Sequence, residues 1–552
     1  MSNLLSQASL VMIPSGYKED VVYSEIPING AGDLAFTRAS NGTRINSQGL
    51  VEVCPWNLLE YSEDFSNAYW SKDVGASVDS NVATAPNGTT TADRLNYAGA
   101  GQAVYTIQSV VGTNTFSVYL KGEGANIGKQ IHLEIGNGTG SKNVTLTGEW
   151  QRFETDANSA TSIAIKRLNS GQASAVLAWG IQVNQGALKP YFPTTDRLNV
   201  PRLTYQNGGG GCPSLLLEKQ STNVVLNSED FSNASWLTSN VTLTANQTTS
   251  PDGTQNADSL IPNTTNTTIH RIFESAINSI ATASYSIFVK PNGYYRVALR
   301  ECETTGSSIG FDLLNETIIT TYSTGGCTAS GGKIENMGNG WYRISGIFSF
   351  ASATSQRLGL YVVSSSWTSG DPESVSWAGN GTSGVYLYGA QMEASSYPTS
   401  YIPTTSSSAT RVADDYSRSL SSIASGTAYI NITDNVAVGT PGTHLFGPFS
   451  ITGASLGLYL SRPNNARLRL WTQASANVFQ TTETNLKLAM TWDGTNVNVY
   501  QNGVKVVTNY AYAITNVNNL FSSTYLESSA TIAEIVLFNS VLTDAECIAL
   551  TT

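Results

Sequence analysis

The chain has 552 residues, with 29 Lys or Arg against 40 Asp or Glu, so only 12% are charged and the formal net charge is −11. Soluble domains typically carry about 25% charged residues, and here Gly, Ser, Thr, Asn and Tyr stand in their place. This excludes long helices and coiled coils, disorder driven by net charge, and a basic surface for nucleic acid. The length predicts three or four domains, and no apolar run approaches the ~18 residues that span a bilayer. At the start, the apolar run Leu10-Val11-Met12-Ile13 has no basic residue ahead of it, the first being Lys18. No secretory signal is expected, and the place of synthesis reads as a reducing cytoplasm. Pro14, Tyr17, Pro27, Gly30 and Gly32 punctuate short strands over residues 1–56. These are too few for a sandwich. They read as a separate arm or, equally, as a strand completing the first sandwich.

A repeat organises the next 350 residues. Tyr61-Ser62-Glu63-Asp64-Phe65-Ser66-Asn67-Ala68-Tyr69-Trp70 recurs as Asn227-Ser228-Glu229-Asp230-Phe231-Ser232-Asn233-Ala234-Ser235-Trp236, at an offset of 166. Ala92-Asp93 then matches Ala257-Asp258, and Phe116 to Lys121 matches Tyr285 to Lys290. Trp150-Gln151-Arg152-Phe153 matches Trp341-Tyr342-Arg343-Ile344, and Tyr191-Phe192-Pro193-Thr194-Thr195 matches Tyr401-Ile402-Pro403-Thr404-Thr405. By the last pair the offset has grown to 210, so the second copy carries about 40 extra residues in loops. Residues 115–121 and 284–290 alternate polar and apolar, as half-buried strands do. Asn87-Gly88, Asn137-Gly138, Asp252-Gly253 and Pro291-Asn292-Gly293 break the chain at short intervals. Many short strands with polar turns predict an all-β chain of tandem jelly-roll sandwiches.

Farther on, Asp493-Gly494 and Asn502-Gly503 predict tight hairpins joining three strands between Leu486 and Val507. Ile532–538 reads as another strand. Thr543-Asp544-Ala545-Glu546 has the form of a capping box opening a short terminal helix. The expected boundaries are an arm over 1–56, sandwiches over 57–200 and 201–408, and a distinct sandwich over 409–552.

Several segments resemble known families. Thr491-Trp492-Asp493-Gly494 with Tyr500-Gln501-Asn502-Gly503, and Glu534 to Asn539 before a short helix, resemble the concanavalin A-like (laminin-G-type) lectin/glucanase sandwich. The repeats are similar to carbohydrate-binding-module-type jelly rolls in virion proteins of tailed bacteriophages, head or tail fibres such as those of the crAss-like group. That likeness is carried by the "SEDFSNA-x-W" openings and by Phe36-Thr37-Arg38-Ala39-Ser40. It is carried also by Pro201-Arg202-Leu203-Thr204-Tyr205, by Cys212-Pro213-Ser214-Leu215-Leu216-Leu217-Glu218, and by Thr410-Arg411-Val412-Ala413-Asp414. The resemblance implies a virion protein that attaches through residues 1–56 to capsid or tail proteins and displays its sandwiches to glycans. It implies a homo-oligomer, a trimer first and a dimer second, with no nucleic acid or membrane partner.

The catalytic inventory is thin. His132, His270 and His444 fall one to each sandwich and read as surface or loop residues. Gly453-Ala454-Ser455-Leu456-Gly457 has the G-x-S-x-G form, but no histidine follows it as the nucleophile-elbow order requires. No E-x-D-x-x-E pattern of a glucanase lies in 410–552. No catalytic residue and no cofactor are expected, and a polysaccharide depolymerase is the rival reading. Structural calcium in the Asp93 or Asp252-Gly253 regions is left open. Cys54, Cys212, Cys302, Cys327 and Cys547 are expected as free thiols, although Cys302 and Cys327 could face each other across two strands. Trp70/Trp236 and Trp150/Trp341 keep their places in both copies and are expected as core anchors. The tryptophans without a partner, Trp367, Trp377 and Trp471, are the candidate carbohydrate-binding residues.

Overall fold

A computed structural model describes the chain except residues 1, 109, 111–112, 137–139, 158–160, 277, 304, 437–443, 451–456, 462–467, 472–476, 482, 484, 514–516 and 521–528. The described residues are strands in antiparallel sheets, with one short helix near each terminus. No helix among them is long and apolar enough to cross a membrane. The fold is all-β, as expected. Two compact units divide the chain: Val53–Leu198 with Asp252–Gln255, and the remaining residues 1–52, 199–251 and 256–552.

The smaller unit is the first repeat copy. One five-stranded sheet has the order Lys142–Thr145, Gln130–Ile135, Ile163–Arg167, Gln102–Thr106, Ser71–Lys72. The other runs Gln151–Ala157, Asn114–Lys121, Ala175–Gln185, Ala92–Tyr97, Ala76–Ala83. Leu95, Val104, Phe116, Val118, Leu133, Ile165 and Val183 fill the space between them. The strand over 115–121, expected half-buried, is buried on both faces as far as Val118, with Tyr119 and Lys121 half-buried beyond it. Its polar positions are paired: Arg152 Nη2 donates to Ser117 Oγ at 2.9 Å, and Thr115 Oγ1 donates to Asp156 Oδ1 at 2.9 Å.

In the larger unit the second copy repeats this order and adds a strand to each sheet. Thr317–Tyr322 extends one sheet and Cys327–Gly338 the other. The rest of the extra length goes to the connection between Leu358–Val362 and Gly384–Glu393, where the first copy has only the short turn between Ile163–Arg167 and Ala175–Gln185.

The C-terminal sandwich in the same unit is not built from 409–552 alone. Leu10–Met12 pairs with Leu537 to Ile535, and Ser214–Leu217 pairs with Ile532 to Ala530. Leu34–Thr37 pairs with Asp415 to Ser417, and Val21–Val22 pairs with Leu34 and Ala35. Thus the stretch expected as an arm supplies strands to both sheets of the last sandwich, neither standing apart nor completing the first. The alternation explains it. Leu10, Met12, Val22, Leu34 and Phe36 form one apolar set and share a core with Leu215, Ile430, Leu488, Trp492 and Ile535. The hairpins at Asp493-Gly494 and Asn502-Gly503 form as expected. So does the helix Asp544–Thr551, with its reciprocal Thr543–Glu546 capping box.

An ion cluster ties these segments together. Arg38 Nη1 lies 2.7 Å from Asp414 Oδ1, Arg202 Nη1 2.7 Å from Glu218 Oε2, and Arg411 Nη1 3.1 Å from Glu218 Oε2. Arg202 Nη2 also donates to Asp414. All five side chains are buried. Burial pushes the Glu218 carboxyl upward, but Arg411, Arg202 and the Ser400 hydroxyl and amide outweigh it and hold it down at about 2. The motifs around Arg38, Arg202, Glu218, Arg411 and Asp414, scattered in sequence, therefore converge on one point.

Candidate functional site

The matched residues of the two copies serve the fold. Trp70 Nε1 donates to the Tyr61 carbonyl at 3.0 Å, and Trp236 Nε1 to that of Asn227 at 3.1 Å, with both rings buried. Trp341 is buried and Trp150 half-buried, each donating from Nε1 to a turn carbonyl, Thr249 and Thr84 respectively. Asp93 accepts from the amides of Phe65 and Asn81, and Asp258 from those of Phe231 and Asn246. Burial raises both carboxyls, Asp258 to about 6. Asn57 and Asn223 each clamp two carbonyls of the matched strand and tail. Function is therefore sought where the copies differ.

They differ on the outward face of the sheet that carries Gln102–Thr106 in the first copy and Arg271–Glu274 in the second. Strand register places Tyr105, Ala164 and Glu134 in one row across the first copy, and Ala103, Lys166, His132 and Asn143 in the next. Side chains alternate along a strand, so these two rows share one face. Tyr105 and His132 are half-buried. On the next two strands lies the Lys166–Glu134 ion pair at 3.4 Å, and farther along the face is the His132 Nδ1 to Asn143 Oδ1 contact at 2.9 Å. Gln172, from the short connection at the edge, donates to Asn143 Oδ1 at 3.1 Å. The result is a sheet face with a half-exposed aromatic ring at one side, followed strand by strand by a cation, a carboxylate, an imidazole and amides.

In the second copy the corresponding rows are Phe273, Gly359, Arg300 and Arg271, Tyr361, Ala298, Gly310. Here the long connection folds over the face. Trp367 is 1% exposed, its ring against Gly310, where an added Cβ would lie 2.4 Å from the indole. Arg300 holds Asp371 through two bonds of 2.9 Å, and Arg271 lies 3.3 Å from Glu373.

This corrects the tryptophan expectation. Trp367 offers no ring to a ligand because it fastens the insertion to its own sheet. Trp377 is half-buried, packed on His270 at 4.6 Å and Tyr294 at 5.3 Å. Trp471 ends the strand Leu468–Trp471, and its side chain lies outside the described residues. His270, expected as a surface or loop residue, lies in the loop before Arg271–Glu274 but is buried there, with both ring nitrogens facing carbonyls of Asn240 and Trp377. Ser455 lies outside the described residues. All five cysteines are free, three of them buried, and Cys302 and Cys327 are not joined. Among the described residues no group of three or more His, Cys, Asp or Glu is placed to hold a metal ion. Asp252, one of the calcium candidates, caps its own turn through Thr254. Sequence reasoning missed Tyr105. The available signal was its alignment with Phe273 beside a connection of very different length.

No protein-family model matches the chain, and no curated protein matches it. Among solved structures it is similar to the N-terminal CBM22-1-CBM22-2 tandem domain from Paenibacillus barcinonensis Xyn10C. Identity is 11% over 61% of this chain and 98% of that one, with a TM-score of 0.20. It is also similar to the M60 catalytic domain with the CBM51-1 and CBM51-2 domains from Clostridium perfringens ZmpB. There identity is 8% over 60% of this chain and 38% of that one, with a TM-score of 0.17. Trypanosoma rangeli sialidase in complex with sialic acid gives 11% identity over 94% and 96%, with a TM-score of 0.19.

Proposed function

We propose that the chain is a non-catalytic adhesion protein of a tailed-phage virion, a head or tail fibre, that touches glycans through the open face of its first jelly roll. The observation that carries this is the half-exposed Tyr105 on one face with Lys166, Glu134, His132 and Asn143 on the successive strands, a face that the second copy fills with its own chain. A tyrosine ring gives a flat apolar platform for the C–H face of a sugar. The charged and amide groups beside it donate to and accept from hydroxyls, with the ion pair making the stronger, charge-assisted bonds. One such shallow site binds weakly, with a Kd on the order of 1 mM, and copies on one particle raise the avidity by roughly 10²–10⁴. A homotrimer supplies such copies. The virion reading is supported by the paired "SEDFSNA-x-W" openings and the Arg-containing motifs that resemble fibre proteins.

The test is a binding measurement on immobilised surface polysaccharide of the host, comparing the full chain with Tyr105→Ala. The variant is expected to lose at least tenfold in affinity with an unchanged thermal midpoint, because the ring lies outside the core. Retained affinity in a folded variant sinks the site. Imaging of intact particles with an antibody to the chain checks the virion assignment.

A further inference from the structure

The insertion of the second copy is a departure between two otherwise matched domains, separate from the added strands Thr317–Tyr322 and Cys327–Gly338, and it does more than lengthen a loop. The core beneath it takes one side chain from the later part of the connection, half-buried Trp377, and none from the stretch 364–375. Ile272, Leu299, Ile309 and Leu360 point inward and pack with the rest of the sandwich, while Trp367 belongs to a separate small cluster on the outer side with Ala298, Tyr361 and Val363. The first copy forms the same sheet with a short turn in its place. The stretch 364–375 thus packs on the outer side of the sheet and not in the sandwich core.

The covered face is cationic where the first copy's is not. Arg271, Arg296 and Arg300 occupy the positions of Ala103, Gln130 and Glu134, as the strand registers show. In a chain of net charge −11, three arginines on one sheet face, against the single strand carboxylate Asp312 that lies 3.1 Å from Arg296, are a local concentration of positive charge. Small residues, Ala298 and Gly310, leave a slot beside them. The insertion answers each feature in turn. Its indole fills the slot, Asp371 takes a two-pronged bond from Arg300, and Glu373 meets Arg271, Arg300 and the Tyr361 hydroxyl. Arg296 binds the carbonyls of Ser365 and Trp367. A planar guanidinium that grips a carboxylate through two bonds is the geometry that recognises carboxylates in ligands. Between these anchors the segment is Ser, Thr and Gly: Ser364, Ser366, Ser369 and Gly370.

We propose that the face beneath the insertion is a binding site for carboxylate-bearing sugars, and that Trp367, Asp371 and Glu373 are its resident occupant, displaced when an acidic glycan competes. This rests on the reading that the corresponding face of the first copy contacts glycans, and it assigns the two copies different ligands: neutral or mixed sugars to the open face, acidic sugars to the covered one. Displacement exchanges the internal carboxylates for external ones on the same guanidiniums, so no arginine is left unpaired, the released Asp371 and Glu373 pass to water, and the barrier is that of a surface segment lifting.

The experiment uses the full chain, trigalacturonate as the acidic probe and galactotriose as its neutral control. The double variant Trp367→Ala/Glu373→Gln, which loosens the cover, is expected to bind trigalacturonate at least tenfold more tightly than the parent. Galactotriose should gain nothing, and adding Arg300→Gln should erase the gain. In the unaltered protein, trigalacturonate should speed hydrogen exchange of the amides in 364–375. Four results overturn the proposal: a folded double variant with no gain, an equal gain for galactotriose, a gain that survives Arg300→Gln, or a peptide copy of 364–375 binding where the sugar does not. Should the double variant fail to fold, unchanged exchange in the parent under saturating probe overturns it alone. Tyr105 lies in the other copy, so Tyr105→Ala and Arg300→Gln report on the two faces separately.

Discussion

Buried polar side chains are where single residues matter most in this chain. Glu274 occupies the position that Thr106 holds in the first copy, at the end of a core strand. Its Oε1 accepts from the Leu358 amide at 2.9 Å and from Asn278 at 3.1 Å, while Oε2 has no partner. Burial pushes its carboxyl up to about 8, with the Leu358 amide, Asn278 and Arg357 opposing. The folded state then holds a proton that the unfolded chain, at an ordinary 4.5, has released. Its contribution is full below pH 4.5 and is lost as pH rises through about 8. Glu274→Gln keeps the accepting oxygen and removes the titration. We expect the variant to be more stable than the parent at pH 8, by roughly 3–5 kcal/mol, with little difference at pH 4, read from denaturant midpoints across that range. Legibility at this scale follows repetition. Trp70 and Trp236 were readable as anchors because the repeat aligned them. Tyr105 was not, because alternation marks a residue as outward without saying whether another segment covers it, and its partner Phe273 is covered.

Elements were more legible than residues. Hairpins at Asp493-Gly494 and Asn502-Gly503, and the capped helix from Asp544, are local structures whose determinants sit within a few residues of each other. The bulge in the central strand of each jelly roll was not legible. Register shifts between Ser117 and Tyr119, and again between Ser286 and Phe288. Opposite them Gly180 and Gly389 adopt φ of +61° and +59°. A Cβ on Gly389 would meet Phe288 at 2.9 Å and Tyr401 at 3.1 Å, rings brought in from another strand and from the tail. Gly389→Ala is expected to cost about 1–3 kcal/mol from backbone strain and crowding together, seen as a lower denaturant midpoint with an unchanged slope. An unchanged midpoint would show that the tail moves aside freely.

On the scale of the whole molecule, the last sandwich depends on chain from the first forty residues. Removing residues 1–37 would strip Leu10, Met12, Val22, Leu34 and Phe36 from its core, and expose the side of Ser529–Phe538 that Leu10–Met12 covers. Such a truncation is expected to aggregate or to lose the unfolding transition of the C-terminal sandwich, while a separately expressed 53–198 retains its own; calorimetry distinguishes the two. The ion cluster points the same way, since Arg38 reaches Asp414 across 376 positions of sequence. Such a buried set resists the loss of any one member, because removing a partner leaves an uncompensated charge.

By itself the sequence determined the all-β class, the two copies of one jelly roll, the hairpins, the terminal cap and the anchoring role of the paired tryptophans. Each of these depends on composition, on local turn chemistry or on similarity within the chain. Only the tertiary structure decided that residues 10–37 and 203–217 belong to the last sandwich, that five scattered charges form one cluster, and that Trp367 seals a face while Tyr105 stands open. The physical reason is common to all three. Strand pairing, ion pairing and the covering of a face are long-range events, and alternation along a strand names two faces without naming what will lie against either one.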